Sequence, residues 1–171
     1  INQFALGDAD PYLDIVCTPV SNSYDPNDKR GFPLGFGAAH YLYANTDLDY
    51  QVRFQNTGND TAYLVVIRDT ISPLLDLTQI QVGAASHPYT WSIERGNVLT
   101  FTFDNILLVD STTNALGSQG FVNFKIPQQR DLPIGTVIEN RAAIYFDFND
   151  PIITNQTFHT ISLRNYKNKS K

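Results

Sequence analysis

The sequence predicts an all-β protein, an antiparallel β-sandwich of about seven to nine strands. From residue 39 onward, short apolar or alternating segments are separated by turn residues at regular intervals. No long segment carries the apolar stripe of 3.6-residue period that an amphipathic helix needs. Aromatic residues make up 12% of the chain, which suits the half-buried surfaces of a sheet. Closely spaced strands without intervening helices are typical of a sandwich.

Individual strands are recognised by their period and their flanking turns. Residues 48–55 alternate between apolar and polar, and residues 62–67 form a continuous apolar run short enough for a buried strand. The other predicted strands are the hairpin pair 89–93 and 98–103, followed by 120–126, 136–146 and 157–163. Gly and Pro residues predict a loop at 30–38, and residues 72–82 have room for one helical turn.

At 171 residues the chain is long enough for one domain that folds without a metal or a disulfide. We expect an extended lead-in, linker or assembly strand at 1–22, the sandwich at 23–163 and a basic tail at 164–171. The chain contains no methionine, which indicates a processed or excised piece of a longer protein. The single cysteine, Cys17, is either a free thiol or half of an intermolecular disulfide.

The charge pattern argues against several partners. The net charge is -5, and basic residues are concentrated in the tail, so the body of the domain should repel nucleic acid and anionic lipid. No apolar run is long enough to predict membrane insertion.

Two acidic turns stand near opposite ends of the predicted sandwich. Carboxylate and amide oxygens are the ligands that Ca²⁺ prefers, and turns meeting at one edge could share an ion. Neither turn matches an EF-hand, and Asp and Asn also stabilise turns through their own hydrogen bonds. The fold requires no cofactor, and calcium is the cofactor these turns suggest. The candidate ligands are Asp25, Asn27, Asp28, Asp147, Asn149 and Asp150.

Nothing in the sequence predicts an enzyme. His40, His87 and His159 are scattered and lack metal-type spacing. There is no Gly-x-Ser-x-Gly nucleophile elbow. Carboxylates are numerous, but no motif marks a glycosidase pair.

Three separated segments carry a family resemblance. They are residues 23–29, residues 54–62 leading to Ile-Arg-Asp-Thr at 67–70, and residues 140–149. In this order they resemble the immunoglobulin-like domain near the C-termini of large proteins secreted by Bacteroidetes, often before a type IX secretion sorting domain. The chain is also similar to a bacterial surface-protein repeat family of unknown function. The resemblance implies an immunoglobulin-like fold, export and a structural role, although residues 164–171 do not resemble the sorting domain.

Some surface immunoglobulin-like domains join a lysine to an asparagine through an isopeptide bond, and the order of residues here permits one. The reaction needs a neutral amine in an apolar pocket and a buried acid nearby. Lys29 precedes the first core strand, and Asn149 or Asn140 lies near the last ones. Asp49 or Glu139 is the candidate acid. The alternative is a salt bridge between Lys29 and a neighbouring aspartate.

Two features of the sequence suggest glycan attachment or sugar binding. Thr61, Thr70 and Ser111 follow aspartates in triplets that resemble the Bacteroidetes O-glycosylation motif, although each is also an ordinary turn or strand residue. Aromatic residues either fill the core or line a sugar-binding face. The aromatic candidates are Tyr41, Tyr43, Tyr50, Tyr63, Tyr89 and Trp91.

We therefore expect a non-enzymatic spacer, anchoring or fibre subunit of a larger secreted or cell-surface protein. Its partners would be other domains or copies of that protein, with residues 1–20 pairing as a strand with a neighbouring copy. The alternative is an adhesive or carbohydrate-binding module with glycans as partners.

Overall fold

The computed structural model describes residues 26–163, which form twelve strands and one turn of 3-10 helix. The predicted all-β class is therefore confirmed. The first six strands are β1 (Lys29–Phe32), β2 (Tyr41–Tyr43), β3 (Leu48–Gln55), β4 (Ala62–Thr70), β5 (Gln81–Ala85) and β6 (Thr90–Glu94). The remaining six are β7 (Val98–Leu108), β8 (Gln119–Ile126), β9 (Val137–Asn140), β10 (Ala142–Phe146), β11 (Ile152–Ile153) and β12 (Thr157–Ser162).

Two antiparallel sheets make the sandwich. The four-stranded sheet has the order β1-β3-β8-β5, and the five-stranded sheet has the order β11-β10-β4-β7-β6. A smaller sheet, β2-β12-β9, contains one parallel pair, β2 with β12. Strand β9 continues into β10 after the single residue Arg141, so the chain passes directly from the small sheet into the five-stranded one.

The core lies between the two large sheets, as the alternation in residues 48–55 predicts. Rings from opposite sheets are in contact there: the centroids of Phe54 and Phe103 are 5.2 Å apart, and those of Phe101 and Phe124 are 5.8 Å apart. Side chains of one inner face thus interdigitate with those of the other, which is how an aligned sandwich buries its apolar surface.

The sequence misjudges several local features. Residues 30–38 are not all loop, because Lys29–Phe32 forms β1. Gly31 is part of that strand, and glycine fits there because a Cβ would lie 2.7 Å from the ring of His159. The predicted strand 136–146 is divided at Arg141, and β5 was not predicted. The helical turn predicted within 72–82 is present as the 3-10 turn Leu77–Gln79.

Some predictions fall outside the described residues. These are the lead-in 1–22 with Cys17, the turn residue Asp25 and the tail 164–171. Between residues 26 and 163, no helix has the length and apolarity needed to cross a membrane.

We expect Gly120→Ala to lower the free energy of unfolding by about 1–3 kcal/mol, because overpacking a full core forces its neighbours to move. A Cβ at Gly120 would overlap the ring of Phe54, which is itself fully buried. Urea denaturation followed by tryptophan fluorescence measures the change. Gln119→Ala, at the exposed neighbouring position, is the control, and equal stability of the two variants would contradict this account of the core.

Candidate functional site

A lysine lies in the apolar core. Lys29 occupies an inward position of the edge strand β1 and is 1% exposed. Its Nζ lies 4.5 Å from the centroid of the Tyr50 ring and 5.2 Å from that of Phe124. Lysine is almost never fully buried unless it is paired, because its charge is costly to remove from water.

The partner of Lys29 is an aspartate from the opposite sheet. Asp69 follows Val65 and Ile67 at the next inward position of β4 and is 0% exposed. Lys29 Nζ donates a hydrogen bond to Asp69 Oδ2, whereas Oδ1 has no hydrogen-bond partner among the described residues. The pair therefore joins the two sheets through the middle of the sandwich.

Asn140 completes the cluster. It ends β9 at an inward position and is 3% exposed. Two residues later, Ala142 pairs with Asp69 across β10 and β4, which brings Asn140 beside the carboxyl group. Within residues 26–163, neither the oxygen nor the nitrogen of the Asn140 side chain has a hydrogen-bond partner. Its backbone carbonyl is held by the Thr157 hydroxyl, which donates to it at 3.1 Å.

Burial shifts both charged groups of the cluster toward their neutral forms. Desolvation lowers the pKa of Lys29, against the opposing attraction of Asp69. Desolvation also raises the pKa of Asp69, opposed by the charge and hydrogen bond of Lys29 and by the Asn140 side chain. The burial thus favours an uncharged amine beside a protonated carboxyl group.

Asn155 fixes the backbone of Lys29. The backbone N–H of Lys29 donates to Asn155 Oδ1 at 2.8 Å, and Asn155 Nδ2 donates to the Lys29 carbonyl at 2.9 Å. One side chain therefore supplies both hydrogen bonds that a neighbouring strand would give to this edge residue.

The cluster contains the three groups needed for amide transfer. A neutral Lys29 amine is a nucleophile, the Asn140 carboxamide is an electrophile, and Asp69 is an acid that can carry protons between them. These are the requirements of isopeptide formation, and they meet in a site closed to water.

The structure corrects the partners predicted for Lys29. Asn149 lies exposed in the turn after β10, so it is not the asparagine at this site. Asp49 and Glu139 are exposed on the outward faces of their strands, so neither is a buried acid. Asp69 was missed because the polar residues after Ile67 resemble a turn that ends the strand. The alternation Val65, Ile67, Asp69 was the signal for an inward position.

The predicted calcium turns are held by protein groups where the structure describes them. Asn27 Oδ1 accepts from the Gln55 N–H, and Asp28 forms a salt bridge with Arg53. Asp147 Oδ1 accepts from the N–H groups of Tyr63 and Leu64. Residues 26–163 hold no group of three or more His, Cys, Asp or Glu side chains that could bind a metal. Calcium binding stays a prediction.

The other candidate residues are dispersed. Tyr50 is in the core, Tyr41 is exposed on the small sheet, and Tyr63 and Trp91 lie on β4 and β6 with β7 between them. The structure does not bring these four into one sugar-binding face.

The proposed glycosylation positions differ in exposure. Thr70 is exposed, whereas Thr61 and Ser111 are half-buried. Glycosylation at these positions stays a prediction.

A family profile matches residues 25–160, and Lys29, Asp69 and Asn140 all lie inside the match. The chain belongs to this family. It is described as Domain of unknown function (DUF7619). A search among curated proteins found no match.

Solved structures that resemble this DUF7619 domain include an adhesin domain and a pilin. The N-terminal domain of the Streptococcus gordonii adhesin Sgo0707 is 14% identical, with a TM-score of 0.57 over 81% of this chain and 33% of that one. BcpA, the major pilin subunit of Bacillus cereus, is 19% identical, with a TM-score of 0.53 over 79% and 39%. The domain thus spans well under half of each. At these identities the likeness shows the fold and confirms the predicted immunoglobulin-like sandwich.

We expect Asn155→Ala to accelerate hydrogen exchange at the Lys29 amide, because the substitution removes the acceptor of that N–H. Loss of the two hydrogen bonds should also lower the free energy of unfolding by about 1–3 kcal/mol. Amide exchange followed by NMR and urea denaturation measure the two effects. The control is Gln156→Ala, the exposed neighbouring position. Unchanged exchange at Lys29 in Asn155→Ala would show that the amide is protected by something else.

Proposed function

We propose that this DUF7619 domain is a non-enzymatic structural module of a secreted or cell-surface bacterial protein, locked by an isopeptide bond between Lys29 and Asn140. The joint burial of Lys29, Asp69 and Asn140 carries the proposal. The folds it resembles, an adhesin domain and a major pilin, support a surface role, with other domains or copies of a larger protein as partners. Export by the type IX route rests on the sequence resemblance alone.

The bond forms by transfer of the Asn140 acyl group. The neutral Lys29 Nζ attacks Asn140 Cγ, a new C–N bond forms, and the bond from Cγ to the amide nitrogen breaks. Protonated Asp69 gives its proton to the departing nitrogen, which leaves as ammonia, and takes up the proton that the attacking nitrogen loses. The products are one amide and one ammonia molecule, so no oxidant or co-reactant is required.

The folded core supplies the conditions for this reaction. The three groups are fixed within one cluster, which replaces a bimolecular encounter by an intramolecular one. The exclusion of water keeps the amine uncharged and prevents hydrolysis of the amide. Asn140 also lines a surface groove with Arg68 and Gln156, and we propose that ammonia leaves on this side of the sandwich.

The position of the bond suits a load-bearing module. The chain enters beside Gln55 at one end of β3, where Asn27 is bound. It leaves after Ser162, which pairs with Tyr43 near the other end of β3. Tension between the ends would thus run along the sandwich. With a covalent bond from Lys29 to Asn140, the tension would pass through that bond, and residues 30–139 would carry no load.

We expect the purified domain to be lighter than its sequence by one ammonia molecule, with Lys29 and Asn140 in linked peptides. Intact-mass and tandem mass spectrometry measure both. Lys29→Arg and Asn140→Ala should keep the full mass, and Asp69→Asn should react slowly or not at all because the proton carrier is lost.

Exposed counterparts provide matched controls. Asn149→Ala and Asp49→Asn should lose ammonia as the wild type does. A folded wild-type domain that retains its full mass would refute the proposed bond.

We expect the bond to limit stretching under force. When the domain is pulled from its two ends, only residues 26–28 and 141–163 should extend, by at most roughly 90 Å at about 3.5 Å per residue. Asn140→Ala should release the whole described sandwich, roughly 480 Å by the same measure. Single-molecule force spectroscopy measures the contour-length gain, with Asn149→Ala as the control. Equal gains for wild type and Asn140→Ala would contradict a load-bearing bond.

A further inference from the structure

The hydroxyl of Tyr50 is an unexplained polar group in the same cluster. Tyr50 is 1% exposed on the inner face of β3, and its hydroxyl has no hydrogen-bond partner among residues 26–163. A buried, unpaired polar group costs about 1–3 kcal/mol. Phenylalanine at this position would fill the same space in the core without that cost.

The unpaired atoms of the described core are concentrated around the site. Seven buried side-chain nitrogen or oxygen atoms lack a partner there, and four of them belong to Tyr50, Asp69 and Asn140. Native cores rarely leave such groups unpaired without a reason. Because they lie together, we infer that these atoms form hydrogen bonds in the reacted site that they do not form before the reaction.

Tyr50 touches both reactants. Its ring lies against Lys29 Nζ, at 4.5 Å from the centroid. Burial and the charge of Asp69 raise the pKa of Tyr50. The side chains of Asn140 and Thr157 lie near the hydroxyl and oppose that rise. The phenol therefore keeps its proton at neutral pH and remains a hydrogen-bond donor.

We propose that Tyr50 is a catalytic residue of isopeptide formation, whose hydroxyl donates a hydrogen bond to the oxygen of Asn140 as negative charge develops on it. This inference rests on the proposed Lys29–Asn140 bond. Attack on Cγ turns the carbonyl oxygen into an oxyanion, which needs a donor in a site without water. Asp69 is occupied with the proton that moves between the two nitrogens. The Thr157 hydroxyl already donates to the Asn140 backbone.

The Tyr50 hydroxyl would also donate a hydrogen bond to the amide that the reaction forms. The new amide has a carbonyl oxygen that accepts from the Tyr50 hydroxyl and an N–H that donates to Asp69. The buried atoms that lack partners before the reaction would therefore have partners after it, as buried polar groups in native proteins generally do.

The test compares rates of ammonia loss in wild type and Tyr50→Phe. Each chain is made by cell-free synthesis, and its intact mass is followed over time, with the fraction folded measured by circular dichroism. We expect the folded Tyr50→Phe domain to lose ammonia at least about tenfold more slowly, because one oxyanion donor is missing. Tyr145→Phe, which removes a hydroxyl from β10 outside the site, should react at the wild-type rate.

A second measurement covers the case in which Tyr50→Phe folds poorly. Fluorotyrosine incorporated at position 50 has a more acidic phenol, which is a stronger hydrogen-bond donor, and should accelerate the loss of ammonia. An unchanged or slower rate would overturn the role of Tyr50, as would equal rates for folded Tyr50→Phe and wild type. With either of these results, loss of ammonia by the wild type would still support the Lys29–Asn140 bond. A wild type that never loses ammonia refutes the bond and the inference together.

Discussion

The contact on which the site depends is the buried, hydrogen-bonded pair of Lys29 and Asp69 in the centre of the sandwich. One side chain comes from the edge of the four-stranded sheet and the other from the middle of the five-stranded sheet. Breaking such a buried pair by removing one member typically costs 3–5 kcal/mol, yet well-packed apolar residues in place of both are often at least as stabilising. Stability alone therefore gives little reason for this pair, whereas a reaction of Lys29 with the neighbouring Asn140 would.

Several features of the fold serve to bring Asn140 to that pair. The switch from β9 to β10 at Arg141 lets one continuous segment contribute to two sheets, so Asn140 ends one strand while Ala142 already pairs with Asp69. Asn155 and Thr157, in the segment that follows β11, hold the backbones of Lys29 and Asn140 respectively. The segment after β11 thus positions Lys29 in β1 and Asn140 in β9.

The sequence predicts the architecture well because alternation in strands such as 48–55 reports directly on which side chains are buried. The site is predicted only in part. Lys29, Asp69 and Asn140 each lie in one of the three segments that carry the family resemblance, and Lys29, which the sequence singles out, is buried in the core. The choice of acid was wrong, because sequence order cannot show that Asp49 points outward while Asp69 faces a lysine from another sheet. That relation depends on how the sheets pack.

The proposed bond is attached to a short edge strand. Strand β1 has four residues and, among the described strands, pairs with β3 alone, so tension entering at residue 26 would act first on a short edge strand. Without a covalent bond, the hydrogen bonds between β1 and β3 would carry this tension. A covalent bond at Lys29, the first residue of β1, would take up the load before any pair of that strand opens. The same buried lysine would then be both the reactive group of the site and the point at which the domain resists force.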